Sequence, residues 1–476
     1  MNGRPAGLLA PGIGGRVGPC FVDRHRLWRD DQYAAAADVR QTIDTRGIRL
    51  VRTCFSDVHG KTRGKALTTE TFLEALTNGH GVPGTILLAD TSGRTVYPVF
   101  GGYTGPGMSD FTGAADVLLI PDPTTFQVLP WAPDTGWVLC SAYFRDGRPA
   151  PFDTRALYCR LAERLADRGY AYGVGIEVQF HVFRAGAGGV DPRGAEDERL
   201  DALDDIVQLV RGAADALDLG LRSVDVDAGP NQLAATFRPA TGLAAADRLL
   251  LFRTAVRQVC RRNGLHATFM CVPQVPDTAA SGWHLHQTLH HAESHANAFA
   301  SRTGELLSPV GRHFLAGLLA NARAATVCTT PTLNGYKRYR RHSLAPYLVN
   351  WGVDNRGAMV RVIGGGDDQA TRLENRAGEP AANPYLYLAS QLVCGMDGMD
   401  RDLCAGEPTD RPYDGAGARL PNHLLEAVAE LGRSELFAEA LGEQFVDYLV
   451  TIKQAEIDRF FATVTDWEHQ EYFDTF

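Results

Sequence analysis

The chain has 476 residues and carries 47 Lys+Arg against 56 Asp+Glu, so its formal net charge is −9 with neutral histidines. This acidic balance argues against a nucleic-acid partner. At 45% hydrophobic and 22% charged residues, the composition is typical of a globular protein with two or more domains. No apolar stretch approaches the roughly 18 to 20 residues that cross a bilayer, and the first residues do not resemble a secretory signal. We therefore expect a cytoplasmic protein that does not span a membrane.

The residue pattern divides the chain into a lead and two domains. Residues 1–45 form an N-terminal lead that starts rich in Gly and Pro, and short alternating stretches between turns predict a strand-dominated domain over 46–146. Asp153 is placed to cap a helix that opens a larger domain over 150–476. There, predicted strands lie at 172–184, 221–227, 232–238, 267–275, 283–290, 358–363 and 371–376. Predicted helices lie near 200–218, 244–264, 309–326, 384–398, 422–442 and 444–463, so the fold class is α+β.

Two of the predicted strands carry polar side chains on one face. Because side chains alternate along a strand, Glu177, Gln179 and His181 share one face and the residues between them are apolar. His284 and His286 likewise share a face, a spacing by which one strand can offer a metal ligand and a second polar contact. Taken alone, each pattern is more often that of an ordinary half-solvated strand.

Two further groups are charged. A predicted hairpin has an acidic face formed by Ser223, Asp225 and Asp227, opposite Gln232, Ala234 and Thr236. Five arginines surround one carboxylate, Glu374, in the sequence: Arg338, Arg356, Arg361, Arg372 and Arg376. Guanidinium groups suit carboxylate and phosphate oxygens, and together with Glu and His ligands for a divalent ion they suit phosphoryl transfer from a nucleotide. A surface network of ion pairs is the alternative.

These motifs, in this order, resemble the signature series of the glutamine synthetase family. The resemblance extends from about residue 48 to the C-terminus and includes Asp57-x-x-Gly60-x-x-Arg63-Gly64-Lys65 near its start. The later motifs are Gly175-x-Glu177, Asp227-x-Gly229-Pro230-x-Gln232, Ser281-Gly-x-His-x-His286, Asn334-x-Tyr-Lys-Arg338, Asn355-Arg356 and Arg372-x-Glu374-x-Arg376.

The resemblance implies an N-terminal β-grasp domain and a glutamine synthetase-type catalytic domain with a curved antiparallel sheet flanked by helices. It also implies a homo-oligomeric ring, such as a dodecamer, in which a neighbouring subunit completes each active site. The implied chemistry uses ATP to phosphorylate the side-chain carboxylate of glutamate, and ammonia or another amine then displaces phosphate. The expected partners are therefore a small-molecule acid and an amine.

Site residues follow from the same resemblance. A Mg2+ or Mn2+ ion that steers the ATP phosphates would be held by Glu177, His284 and Glu374. The ATP contacts would be His286, Thr288, Arg356, Arg361 and Arg372. Arg338, Arg376 and Gln179 would bind the acid substrate, and Arg356, Arg376 and Asp227 are the expected catalytic residues, with Asp227 also a metal ligand.

The chain departs from the family pattern at two places. The second metal site normally uses three glutamates, but this sequence offers Gln179, Asp227 and Ala234, so the site loses two formal negative charges and its affinity should fall. Asp225 is a candidate partial substitute. The flap position that carries a proton-accepting Glu in ammonia-using members is Leu344 here, just before Ala345-Pro346.

We therefore expect an ATP-dependent ligase that joins glutamate or a related acid to an organic amine rather than to ammonia, through an acyl phosphate. Two alternatives stay open at this point. One is a catalytically impaired sensor or assembly protein, and the other is a one-metal phosphotransferase.

Overall fold

The computed structural model describes residues 18–101, 107–184, 195–415 and 417–476, so the first part of the predicted lead lies outside the described residues. The chain divides into two compact units. The first comprises the described residues within Met1–Phe55, Arg63–Gly84 and Gly113–Ala150, and the second comprises those within Ser56–Thr62, Thr85–Thr112 and Pro151–Phe476. The domain boundaries expected from the sequence, 46–146 and 150–476, stay predictions.

The first unit contains a six-stranded sheet with the order β2-β1-β6-β4-β3, and β5 also pairs with β6. Its strands are β1 Leu50–Ser56, β2 Thr62–Thr68, β3 His80–Pro83, β4 Asp116–Pro121, β5 Gln127–Val128 and β6 Thr135–Tyr143. Its helices are α1 Phe21–His25, α2 Asp30–Arg46 and α3 Thr69–Asn78. Two helices thus lie within the stretch that the sequence pattern treats only as a lead.

The second unit contains a nine-stranded sheet with the order β13-β14-β15-β12-β7-β9-β8, and β10 and β11 also pair with β7. Its strands are β7 Tyr170–Arg184, β8 Leu221–Val226, β9 Gln232–Phe237, β10 Ala240–Thr241, β11 Leu265–Thr268, β12 Trp283–His291, β13 Trp351–Val353, β14 Val360–Ile363 and β15 Arg372–Gly378. The pairs of β7 with β9, β7 with β12, β12 with β15 and β15 with β14 are antiparallel.

The second unit also contains helices. They are α4 Thr154–Ala166, α5 Glu196–Ala202, α6 Asp204–Ala216, α7 Ala244–Arg262, α8 Pro309–Ala320, α9 Ala322–Thr329, α10 Pro384–Asp400, α11 Leu424–Gly432, α12 Glu435–Leu441, α13 Glu443–Phe461 and α14 Asp466–Tyr472. Asn383 begins α10 directly after β15, because its side chain accepts the N–H groups of Tyr385 and Leu386. The combination of helices with two separate sheets confirms the predicted α+β class.

Three of the predicted elements end or break early at a point where a side chain bonds the backbone locally. The expected helix over 309–326 breaks at Asn321, whose amide donates to the carbonyl of Gly317. The helix expected over 422–442 is interrupted at Ser434, whose hydroxyl caps α12. The strand expected over 267–275 ends at Thr268, which accepts the N–H of Met270. Over the described ranges, no helix has the length and apolar character needed to span a membrane.

Candidate active site

Four adjacent strands, β14, β15, β12 and β7, bring the predicted residues together. Arg361 lies opposite Glu374, Glu374 lies opposite His286, and His284 lies opposite Glu177. Because directly opposed residues project to the same face of a sheet, the alternation of each strand places these side chains on one surface. The period-two pattern in the sequence therefore positions the site.

Glu374 is the centre of this surface. Its Oε1 accepts from Arg376 Nη1 at 2.6 Å and its Oε2 accepts from Arg361 Nη1 at 3.1 Å, and only 1% of the residue is exposed. Burial acts to raise the pKa of Glu374, but the charges of Arg376 and Arg361 outweigh burial, and the pKa lies below its ordinary value. Glu374 is thus a buried carboxylate held by two guanidiniums.

His284 joins Glu374 to Glu177. Its Nδ1 lies 2.8 Å from Glu177 Oε1 and 3.7 Å from Glu374 Oε1. Burial, reinforced by the charge of Arg376, lowers the pKa of His284 well below its ordinary value, so the imidazole is neutral. A neutral imidazole is the form that can ligate a metal.

The chemistry of this donor set fits a divalent cation. Carboxylates are common ligands for Mg2+ and Mn2+, and a neutral imidazole is a common ligand for divalent transition metals. In the described part of the chain, no three His, Cys, Asp or Glu side chains are already arranged around one point as metal ligands. Glu374 instead directs both of its oxygens to arginines. Glu177, His284 and Glu374 are the residues that could hold the cation, and this assignment stays a prediction.

The expected nucleotide contacts lie beside this cluster. Arg372 Nε donates to His286 Nδ1 at 3.2 Å, and burial with the charge of Arg372 lowers the pKa of His286. Further along β12, Thr288 Oγ1 lies 2.9 Å from His290 Nε2. Arg356 has an exposed side chain, and its carbonyl accepts from Arg376 Nε at 2.8 Å. The side chain of Arg356 is therefore free to meet a phosphate from the solvent side.

Arg338 and Arg376, the expected carboxylate-binding residues, are adjacent and buried. Arg338 Nη2 donates to the carbonyl of Arg376 at 2.9 Å, and Arg338 Nη1 donates to the carbonyl of Gly378 at 3.3 Å. Gly282 lies against them, because a Cβ atom there would be 2.6 Å from Arg338 Nη2 and 3.1 Å from His284 Nε2. This close approach of the backbone requires glycine.

The flap residue Leu344 is 66% exposed and has a φ of +57°, which is unusual for a leucine. This conformation directs its carbonyl to Arg376, whose Nη2 donates to it at 3.3 Å. Tyr413 lies beside the flap, with its ring 5.0 Å from that of His342. A Cβ atom at Gly357 would come within 3.0 Å of the Tyr413 ring. Leu344 thus contacts Arg376 through its carbonyl, and Tyr413 lies next to the same segment.

The residues expected at the second metal site lie close together. Two of them, Gln179 and Asp227, are hydrogen-bonded to each other. Gln179 donates from Nε2 to the carboxylate of Asp227, and Ala234 lies directly opposite Gln179 in the sheet. Asp225 is exposed and accepts from Ser223 Oγ at 2.8 Å.

Several contacts of the site were not predicted from the sequence. Asp354 pairs with Arg361 from the solvent side, and Ser281 connects Gln232 to His181. The alternation of β7 and β9 could have indicated that Gln232 lies opposite His181. No local signal points to Tyr413, because it lies in an irregular loop far along the chain from the flap.

Comparison with known proteins agrees with this geometry. The family model described as glutamine synthetase, catalytic domain, matches residues 151–472. The chain is 38% identical to the γ-glutamylanilide synthase of an Acinetobacter species, over 95% of this chain and 98% of that protein. It is 30% identical to the γ-glutamylethanolamide synthetase of Streptomyces coelicolor, over 90% of this chain and 93% of that protein.

A solved structure of a GmaS/ADP complex superposes with a TM-score of 0.79 at 28% identity, over 91% of this chain and 99% of that chain. This likeness confirms the expected glutamine synthetase-type fold. The chain belongs to the glutamine synthetase family, and it is an ATP-dependent ligase that forms amide bonds between small molecules.

Proposed function

We propose that this ligase joins the side-chain carboxylate of glutamate, or of a closely related acid, to an organic amine, and that its preferred amines are arylamines. The observation that carries the proposal is Leu344, an exposed aliphatic residue at the flap position expected to supply a proton acceptor. The relatives named as synthases of a γ-glutamyl anilide and a γ-glutamyl ethanolamide support the same class of product.

The buried charges support the first half of the reaction, in which the acid carboxylate attacks the γ-phosphorus of ATP and ADP leaves. Arg361 and Arg372 lie on the same face as Glu374, where fixed guanidiniums can stabilise the charge that spreads over the transferring phosphoryl group. A divalent cation such as Mg2+, held by Glu177, His284 and Glu374, would neutralise phosphate charge when bound. Arg338 and Arg376 would orient the acid through its carboxylates.

The second half of the reaction supports an arylamine. The nitrogen lone pair attacks the acyl phosphate, phosphate leaves, and the nitrogen loses a proton. Ammonium and alkylammonium ions must first lose a proton to become nucleophilic, and a positioned base commonly assists this step. An arylamine is already neutral near pH 7. A site with Leu344 at the flap can therefore use an arylamine without the missing base.

The surface beside Arg376 also suits an aromatic ring. Leu344 and the half-buried Tyr413 offer apolar surface beside Arg376, and aromatic pairs prefer offset or edge-to-face contacts of the kind that Tyr413 can offer. Ammonia would gain nothing from this surface, because it has no apolar area to bury.

A homo-oligomer, such as the ring expected from the sequence, is part of the proposal. The C-terminal segment exposes large apolar side chains, with Trp467 61%, Phe473 69% and Phe476 97% exposed. Exposed aromatic clusters of this kind commonly mark protein interfaces. Sedimentation velocity of the full chain should show an assembly, and a strictly monomeric species that forms product would contradict this part. The cytoplasmic location stays a prediction from the sequence.

The function is tested by measuring ADP release and product mass with glutamate and one amine at a time: aniline, ethanolamine, methylamine or ammonium. We expect the highest kcat/KM with aniline. Tyr413→Ala should raise the KM for aniline by about tenfold and leave that for ammonium unchanged, whereas Tyr413→Phe should behave as the native chain. Equal losses with both amines would remove Tyr413 from amine recognition. Formation of γ-glutamyl phosphate or ADP without any amide product would contradict the proposed function.

A further inference from the structure

Gln179 bonds to protein groups at both ends of its side-chain amide. Its Oε1 accepts the backbone N–H of Gly282, and its Nε2 donates to the carboxylate of Asp227. The reverse orientation of the amide would place the NH2 group against an N–H donor and the oxygen against a carboxylate, so the orientation is fixed by chemistry. The Gln179 oxygen is therefore engaged and points to Gly282.

Asp227 is also engaged at both oxygens. One accepts from Gln179, and Oδ1 accepts the N–H of Ala228 at 2.6 Å. The guanidinium of buried Arg199 lies on the same turn, because Nη2 donates to the carbonyls of Asp227 and Gly229. A permanent positive charge at this turn opposes the approach of a cation.

The remaining positions add one carboxylate, that of Asp225, which lies opposite Ala234, is exposed and accepts from Ser223 Oγ at 2.8 Å. Ala234, opposite Gln179, has only a methyl group. Gln232 is fully buried, accepts the N–H of Gly229 at 2.8 Å and donates to Ser281 Oγ at 2.9 Å. Two neutral amides and two carboxylates that already accept hydrogen bonds from the protein do not fit the second divalent cation that the family implies, since hard cations bind through the number and charge of free oxygen ligands.

We infer that hydrogen bonds within the protein replace the second cation, so that the ligase works with one divalent cation per subunit. The replacement is an amide clasp formed by Gln179, Asp227, Gln232 and Ser281. The clasp ties the β8–β9 turn to the start of β12, the strand that carries His284. These hydrogen bonds thus hold the β8–β9 turn against the start of β12, in place of the second cation that the family implies. The inference rests on the family fold and on the acid side of the site, and it does not depend on which amine is used.

The test counts bound Mn2+ per subunit in the full-length oligomer with a saturating nonhydrolysable ATP analogue, using the electron paramagnetic resonance signal of free Mn2+. The native chain should hold one tightly bound Mn2+ per subunit. Gln179→Glu removes the donor to Asp227 and leaves two adjacent carboxylates. This variant should therefore hold two Mn2+ ions per subunit. The matched control is Gln454→Glu, because Gln454 also donates to a carboxylate, that of Asp458 at 2.7 Å, on an exposed part of α13. This control should hold one Mn2+ ion per subunit, as the native chain does.

Two Mn2+ per subunit in the native chain would overturn the inference, as would a native chain that holds none. A folded Gln179→Glu variant that still holds only one would also overturn it, because the amide would then not be what excludes the cation. The native count decides the question even if the variant fails to fold. Failure of amine specificity would leave this count unchanged, so the two proposals fail separately.

Discussion

Glu374 Oε1 lies 2.6 Å from Arg376 Nη1, and both residues are buried on the same strand two positions apart. Arg361 reaches the second oxygen of the same carboxylate from β14. A buried pair of this kind is costly to break, because the remaining partner keeps an uncompensated charge.

Glu374→Gln should therefore lower the free energy of unfolding by about 3 to 5 kcal/mol and reduce ATP turnover by at least about a hundredfold. Urea unfolding and ADP release measure the two effects. The matched control is Asp354→Asn, which removes the solvent-side partner of Arg361. Because Asp354 is exposed to solvent, the pair contributes little, so the control should unfold as the native chain does. A Glu374→Gln variant with native stability and native nucleotide binding would refute the central role of Glu374.

Gly282→Ala should damage the site through sterics alone. The new Cβ would be 2.6 Å from Arg338 Nη2, which is bonded to the carbonyl of Arg376 and cannot move freely. We expect a loss of about 1 to 3 kcal/mol of unfolding free energy and a raised KM for the acid. Gly212→Ala on α6 is the matched control, because nothing lies within 4 Å of its Cβ position, and it should be neutral or slightly stabilising. Equal behaviour of the two variants would contradict this packing argument.

Leu344→Glu should shift amine preference toward ammonium. A carboxylate at this exposed flap position can accept a proton and attract a cationic amine, so kcat/KM for ammonium should rise about tenfold or more, while that for aniline should fall. Leu425→Glu, at another exposed leucine on α11, controls for the added charge. Unchanged amine preference in Leu344→Glu would show that the flap does not select the amine.

Glu379 gives the chain a pH dependence near neutrality. It is fully buried and accepts from Thr332 N and Oγ1, each at 2.8 Å, and burial raises its pKa from 4.5 to about 7. The effect of Thr332 and Lys453 is to lower this pKa, and that of Glu456 is to raise it. The folded chain therefore binds the proton more tightly than the unfolded chain, and the free energy of unfolding should decrease as pH rises between these two values.

Glu379→Gln should remove that decrease, which amounts to at most about 3 kcal/mol. Urea unfolding between about pH 5 and 8 measures the slope, with Glu407→Gln on an exposed loop as the control. A native chain with the same stability across this range, or a Glu379→Gln variant with the native slope, would contradict the assignment.

Strand alternation and motif order were enough to predict which side chains of β7, β12 and β15 share a face, because the period of a strand fixes that face. The direction of each hydrogen bond was not predictable. The sequence indicated Gln179 as a substrate contact and a weak metal ligand, but not its bond to Gly282, since that bond depends on how two distant segments approach. Two further contacts depend on turns whose geometry no local pattern encodes. Arg361 pairs with Asp354, and the ring of Tyr413 lies against that of His342. The helix Asp30–Arg46 was absent from the predicted elements because residues 1–45 were treated as a single lead.

The most direct test of the central claim is a competition. The native chain is given ATP, glutamate and Mg2+ with aniline and ammonium at equal concentration, and the two amides are counted by mass spectrometry. We expect the anilide to exceed glutamine by at least about tenfold, which corresponds to about 1.4 kcal/mol of discrimination. Glutamine as the major product would contradict it.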